Sequence, residues 1–202
     1  MRRKVVVATA NPGKVRELSE SLAPLGLELL VQGELGITSL PEVGCTFVEN
    51  ALAKARHAAR ESGLPAIGDD SGLVVPSLGG APGIRSARYG GEPSDDERNN
   101  AKLRRALGAH ANAGGRGHRD AFFTCTLVYL GAPDDPAPLI ATGRWQGTII
   151  DSPRGDNGFG YDPLFLVAEL GKTAAELTLA EKNRLSHRGR ACRRLAALLE
   201  SA

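Results

Sequence analysis

Two adjacent carboxylates, Asp69 and Asp70, sit inside the stretch GDDSGLVV at positions 68–75. Apolar residues flank them: Pro65, Ala66 and Ile67 before, Leu73, Val74 and Val75 after. Two readings fit this pattern. Asp, Ser and Gly are turn formers, so the cluster reads as a turn between two short strands. Adjacent carboxylates also repel, and hard divalent cations prefer oxygen ligands, so the same residues are candidates for a metal site. Successive side chains on a strand point to opposite faces, so Asp69 and Asp70 are not expected to be equivalent.

A second constellation is VVVATANPGK at positions 5–14. A valine-rich strand runs into a tight loop, and Asn11 with Pro12 reads as a helix N-cap followed by the first helical position. A helix N-terminus offers unpaired N–H groups and partial positive charge, which suits a phosphate. Lys14 falls in the first turn, where the dipole disfavours a cation and an anion would relieve the conflict. The alternative is a capped surface helix with a solvated lysine. A Walker A loop is excluded, because position 8 is Ala and position 15 is Val where that motif needs Gly and Ser or Thr. A bound phosphate would bring Mg²⁺ with it, and Glu49, Asp69 and Asp70 are the candidate protein ligands. Glu49 also fits a capping box with Thr46, a structural role that competes with the metal reading. Asn50 and Lys54, four apart, share one helix face.

Two further stretches stand out. In GDNGFGYDPLF, residues 155–165, Phe159 and Tyr161 lie in a glycine-rich loop. Aromatic rings beside bare backbone suit a flat heterocycle, although packed anchors for the loop would look the same. In EKNRLSHRGRACRR, residues 181–194, Lys182 and five arginines face a single glutamate. Such a run is usually a solvated face. Here Ser186–Gly189 interrupts a helix, which would expose His187 and Arg188 as ligand donors, Arg pairing with a ligand oxygen through its planar fork.

Periodicity supplies the elements that must position these residues. Strands are expected at Lys4–Thr9, Leu27–Val31, on both sides of the Asp pair, at Phe122–Leu130, Leu139–Ile150 and Pro163–Val167. Helices are expected from Asn11 to about Pro24, from Thr46 to about Gly63, from a second capping box at Ser94–Glu97 to about Gly108, and at the C-terminus. The segment ANAGGRGHR at 111–119 reads as a mobile tip. Strands and helices alternate with hairpins among the crossovers, so the fold class is α/β with a mixed sheet.

The 202 residues suit one domain with room for two lobes, and 42% hydrophobic with 24% charged residues is ordinary globular usage. A net charge of +2 gives no global basic field for nucleic acid. Cys45, Cys125 and Cys192 are odd in number and widely spaced, which predicts reduced thiols in a cytoplasmic protein. The apolar run Val5–Ala10 is too short for a secretory leader, and no stretch is long enough to span a membrane.

Together these stretches supply a phosphate cradle, cation ligands, a base slot and cationic clamps. TANPGK, TFVENALAKAR, GDDSGL, GGAPGIRSARY, FGYDPLF and EKNRLSHRG also occur in the order seen in one family. Over nearly its whole length the chain resembles the inosine/xanthosine triphosphate pyrophosphatases, or Ham1 family. The resemblance implies two lobes around a long central mixed β-sheet with flanking helices, a single catalytic domain over 1–202 with its cleft between the lobes, and a homodimer. It implies hydrolysis of ITP, dITP and XTP to monophosphate and pyrophosphate with Mg²⁺, Mn²⁺ being an alternative. It places the phosphates on Thr9, Ala10, Asn11, Pro12, Gly13 and Lys14, with Lys54 a further phosphate contact. It makes Asp70 the general base and a metal ligand, with Glu49 the second metal ligand and Asp69 in support. Ser71, Phe159, Gly160, Tyr161, Asp162, Lys182, His187 and Arg188 would meet the nucleotide.

Donors from His187, Arg188 or loop backbone would welcome the 6-oxygen of hypoxanthine or xanthine and be left unpaired by adenine. Rejection of guanine would need a second device that the sequence does not reveal. The competing functions are a nucleotide-binding regulatory module without turnover, a pyrophosphatase for pyrimidine or modified nucleotides, and an RNA binder using the basic 182–194 face.

Overall fold

In the computed structural model, residues 3–111 and 119–201 are described. Residues 112–118, the body of the expected tip, lie outside the described residues. The strands are β1 (Lys4–Ala8), β2 (Glu28–Val31), β3 (Ala66–Val74), β4 (Asp120–Leu130), β5 (Leu139–Ile149), β6 (Phe165–Val167) and β7 (Lys172–Thr173). The helices are α1 (Pro12–Leu22), α2 (Phe47–Ser62), α3 (Asp96–Ala111), α4 (Leu179–Leu185) and α5 (His187–Ser201). The seven strands are hydrogen-bonded in the order β2-β1-β3-β4-β5-β6-β7. β1 pairs in parallel with β2 and β3, whereas β6 pairs antiparallel with β5 and β7, so the sheet is mixed. Among the described residues no helix is long and apolar enough to cross a membrane.

The chain forms two compact units, and β3, β4 and β5 each contribute one part to each unit. The first unit comprises Met1–Asp70, Cys125–Gly143 and Ser186–Ala202. Its strands alternate in the way their period of two dictates. Val5 and Val7 point to a core shared with Leu18 and Leu22 of α1 and Leu195 of α5, while Val6 and Ala8 point to Ala58 and Ala59 of α2. The α2 face is built from alanines because that helix lies close on the sheet. A Cβ at Gly68 would come within 2.0 Å of the Ala51 carbonyl oxygen, so only glycine allows this approach. That contact places α2 against β3 at the residue before the Asp pair. The capping box at Thr46 and Glu49 fixes where α2 starts, and Gly63 ends it in the left-handed conformation.

The second unit comprises Ser71–Thr124 and Arg144–Leu185. Its core gathers Leu103 and Leu107 of α3 with Leu73, Phe123, Trp145 and Phe165. The Phe165 ring lies 4.6 Å from that of Phe123 and 5.3 Å from that of Trp145, centroid to centroid.

Several expectations need correction. The D-S-G cluster is not a turn: β3 runs unbroken through it, with Asp69 and Asp70 buried. Turn propensity is a local preference, and here partners distant in sequence override it. The cap of α3 is Asp95, whose carboxylate accepts from the Arg98 N–H at 2.9 Å, while the Ser94 hydroxyl donates to the Ala87 carbonyl. Its C-terminal part runs on to Ala111 rather than stopping near Gly108. The basic 182–194 run is only partly a solvated face, because Lys182 and Arg188 are buried.

Candidate active site

Two helices of the first unit, α1 and α5, converge on Asp69. The end of β1 delivers Thr9 and Asn11, whose side-chain oxygen caps α1 by accepting from the Lys14 N–H at 3.1 Å. Lys14 sits one turn in, and its ammonium donates to Asp69 at 2.6 Å. From the start of α5, Arg188 donates through Nε to the other Asp69 oxygen at 2.7 Å and through Nη1 to Glu17 of α1. Asp69 is fully buried, and Arg188 and Glu17 are nearly so. Burial alone would raise the Asp69 pKa, but Arg188 and Lys14 hold it well below the usual carboxylate range. Asp69 is therefore a fixed anion bound to two cations.

Asp70 has different surroundings. Its oxygens accept from Lys54 at 2.9 Å and from Asn50 at 3.2 Å, both on α2. Burial pushes its pKa up, and the attraction of Lys54 offsets this only in part. Lys54 is partly buried, but two carboxylates, Asp70 and Glu42, outweigh that burial and raise its pKa. The alternation of a strand, combined with helices on both faces, thus splits two neighbouring aspartates into one locked anion and one more basic carboxylate. Such a divergence is how one site obtains distinct acid–base roles. Asn50 extends the arrangement, because its side-chain oxygen accepts from the Gly44 N–H at 2.8 Å and so ties the segment before α2 to Asp70.

Glu49 stands apart from this cluster. It is exposed, and one of its oxygens accepts from the Cys45 and Thr46 N–H groups and the Thr46 hydroxyl, which lowers its pKa. It lines a cavity of about 240 Å³ with Glu42, Asn50 and Lys54. Glu42 is a residue the sequence reading missed. It shares the Lys54 ammonium with Asp70, a relation no local motif signals.

The two carboxylates expected to serve a cation, Asp70 and Glu49, offer oxygen ligands, as a hard divalent ion requires. Among the described residues no group of three or more His, Cys, Asp or Glu side chains could hold a metal. Mg²⁺ is commonly held by one or two carboxylates together with water and substrate phosphates.

The second unit carries the other predicted contacts. Asp162 accepts from the Lys182 ammonium at 2.6 Å and from the Phe159 N–H at 2.9 Å. The same ammonium lies 4.8 Å from the centre of the Phe159 ring, a cation–π contact. Asp162, Lys182 and Tyr161 are buried, and the Tyr161 hydroxyl donates to the Ser86 carbonyl at 2.9 Å. Gly160 has both main-chain groups occupied, its N–H by Asp96 and its carbonyl by Asn100. Ser71 follows the Asp pair on β3 in this unit. His187 and Arg188 open α5 in the first unit, both buried. The helix break at Ser186 therefore places Arg188 in a buried ion network.

Residues 5–198 match the Ham1 family. A dITP/XTP pyrophosphatase of Ralstonia nicotianae is 56% identical over 98% of this chain and 96% of its own. A protein of the same name from Pectobacterium atrosepticum is 54% identical over 99% of this chain and all of its own. Among solved structures, a HAM1 protein from Coxiella burnetii matches with a TM-score of 0.90 at 44% identity, covering 99% of this chain and 100% of that one. The Staphylococcus aureus Ham1 protein matches with a TM-score of 0.83 at 38% identity, covering 98% and 99%.

Proposed function

The chain belongs to the Ham1 family, and we propose that it hydrolyses dITP, XTP and ITP to the nucleoside monophosphate and pyrophosphate, clearing non-canonical purines from the nucleotide pool. The observation that carries this reading is the divergence of the Asp pair. Asp69 is fixed by Lys14 and Arg188, and Asp70 is left with a raised pKa beside Lys54.

In this reading Asp70 takes the proton from a water that attacks the α-phosphorus, a role worth about 10²–10⁴ in rate. Thr9 to Lys14 hold the phosphates at the α1 N-terminus, where N–H groups and the Lys14 ammonium stabilise charge on the leaving pyrophosphate. Lys54 is a further phosphate contact. Asp70 with Glu49 would hold Mg²⁺ or Mn²⁺. When bound, the ion would neutralise charge on the phosphate oxygens. Phe159–Asp162, Ser71, Lys182, His187 and Arg188 serve the nucleoside end, Arg188 as a support for Asp69 as much as a contact. One domain over 1–202 carries all of this, acting as a homodimer in the cytoplasm; three free thiols are compatible with a reducing compartment.

The test supplies ITP, XTP, ATP and GTP separately with Mg²⁺ and counts pyrophosphate and orthophosphate. Monophosphate plus pyrophosphate from ITP and XTP, with little turnover of ATP or GTP, is expected. Orthophosphate release would move the attack to another phosphorus and remove Asp70 from its role. Binding of ITP without turnover would make the chain a regulatory module. Light scattering checks the dimer.

A further inference from the structure

We propose that Asp96 and Asn100 of α3 are positioning residues for the base end of the site, fixing Gly160 and through it the Phe159 ring. The proposal rests on the reading that Phe159–Asp162 meets the purine.

The Asp96 carboxylate accepts from the Gly160 N–H at 2.6 Å, and the Asn100 side-chain NH₂ donates to the Gly160 carbonyl at 2.9 Å. The two residues are four apart, so they stand on one helix face and grip both polar groups of a single residue. That residue needs gripping. Gly160 has a φ of 64°, and nothing lies within 4 Å of where a Cβ would stand. It has no side chain to pack, and glycine has the widest backbone freedom of any residue.

Its neighbours are anchored independently. The Phe159 N–H is held by Asp162, and the Tyr161 hydroxyl by the Ser86 carbonyl. Gly160 is the joint between those anchors, and a change of its dihedrals would tilt the Phe159 ring against the Lys182 ammonium. Asn100 gives a second sign of purpose. Its side-chain oxygen is buried and has no hydrogen-bond partner among the described residues. An unmet buried acceptor is destabilising, so stability alone does not explain an amide here, whereas its NH₂ group on Gly160 does. Asp96 also lies in the first turn of α3, where any carboxylate favours the helix dipole. The experiment must separate the two roles.

Steady-state kinetics of the full-length protein would compare Asp96→Ala, Asp96→Asn, Asn100→Asp and, as a check on the underlying reading, Phe159→Ala. Asp96→Ala should raise KM for ITP about fivefold with kcat within about twofold, as expected for one exposed charge-assisted hydrogen bond. The preference for ITP over GTP should fall with it. Inhibition by inorganic tripolyphosphate, which has no base, should not change. Asp96→Asn keeps an acceptor and should restore KM, although it removes the charge at the helix end. Asn100→Asp keeps the shape, removes the donor and sets oxygen against oxygen, so it should raise KM without altering packing. If Asp96→Ala lowers Tm yet leaves KM and selectivity intact, Asp96 only stabilises α3 and the proposal is overturned. If Phe159→Ala raises KM and neither α3 variant does, the brace alone fails. If Phe159→Ala also leaves KM unchanged, the purine reading of the loop fails and the brace falls with it.

Discussion

The two units solve the problem of holding charge in different ways. In the first, the charged groups come from regular elements: Lys14 and Glu17 from α1, Lys54 from α2, Asp69 and Asp70 from β3, Arg188 from α5. In the second, a loop carries Asp162 and Phe159, and charged side chains of two helices, Lys182 of α4 and Asp96 of α3, hold that loop. Helices and strands hold a side chain more accurately than loops do. Bond-breaking needs that accuracy, because small displacements of reacting groups cost rate. Stacking on a flat base tolerates more play. Under the proposed function, the first unit carries the residues for turnover and phosphate binding together with His187 and Arg188, and the second carries the aromatic loop for the base.

The sharpest way to break that division is Asp70→Asn. The substitution keeps the hydrogen bond from Lys54 and the shape of the side chain. It should lower kcat by about 10²–10⁴, the range for loss of a general base, while ITP still binds. Turnover near that of the unaltered enzyme, read in the same pyrophosphate assay, would remove Asp70 from the chemistry.

Next in size is Arg188→Met. Arg188 is 1% exposed and partnered by Asp69 and Glu17, so its removal takes a charged partner from each of two buried carboxylates, Asp69 keeping only Lys14 as a salt-bridge partner. Losing one partner of a buried ion pair costs about 3–5 kcal/mol. Urea unfolding should show a loss of that order, and Glu17→Leu added to Arg188→Met should recover part of it. A loss below about 1 kcal/mol, the worth of a surface pair, would mean that the network is not closed. The sign of the pH dependence follows from Asp69. Its folded pKa is depressed, so it stabilises the fold above the unfolded value near 3.8, and that contribution disappears as pH falls through the lower folded value.

Whatever rests on local pattern was legible in the sequence. Asn11, Pro12, the Thr46–Glu49 box and Gly63 mark helix ends by local hydrogen bonding, and each stands where its type predicts. Strand β1 follows from its valine run. What was illegible depends on charges distant in sequence. The Asp pair reads as a turn because its composition carries no trace of Lys14 or Arg188, which make a buried acidic strand tolerable. Glu17, Glu42, Asp96 and Asn100 share that difficulty. Each looks like an ordinary surface residue of its segment, and only the packing of another element gives it a partner. Gly68 carried a usable signal, a glycine at the junction of an apolar run and the Asp pair, and glycine within a strand marks a close approach of another backbone.

A smaller effect is expected from Lys182→Met in the second unit. The Lys182–Asp162 pair is almost fully buried, and the ammonium also covers the Phe159 ring. The variant should raise KM for ITP about tenfold, the scale of one desolvated cation–π and ion-pair contact, with a smaller change in kcat. An equal fall in kcat with KM unchanged would place Lys182 with the reacting phosphates and undo the division between units.

The smallest effect is a labelling rate, and it distinguishes the units without any substrate. All three cysteines belong to the first unit, Cys45 exposed and Cys125 and Cys192 buried. Cys125 lies against the charge network, its thiol donating to Asp69 at 3.6 Å. Burial raises the Cys125 pKa well above normal and pushes that of Cys192 up to about 12. The thiolate is the reactive form, so at neutral pH only Cys45 should react readily with a thiol reagent, and the other two only when the unit opens. Arg188→Met, which loosens the network around Asp69, should therefore speed labelling of Cys125 and Cys192. Lys182→Met, which disturbs only the loop of the second unit, should leave those rates unchanged. Equal acceleration by both variants would show that the units open together, and the contrast between a rigid chemical unit and a looser binding unit would then describe their contacts but not their dynamics.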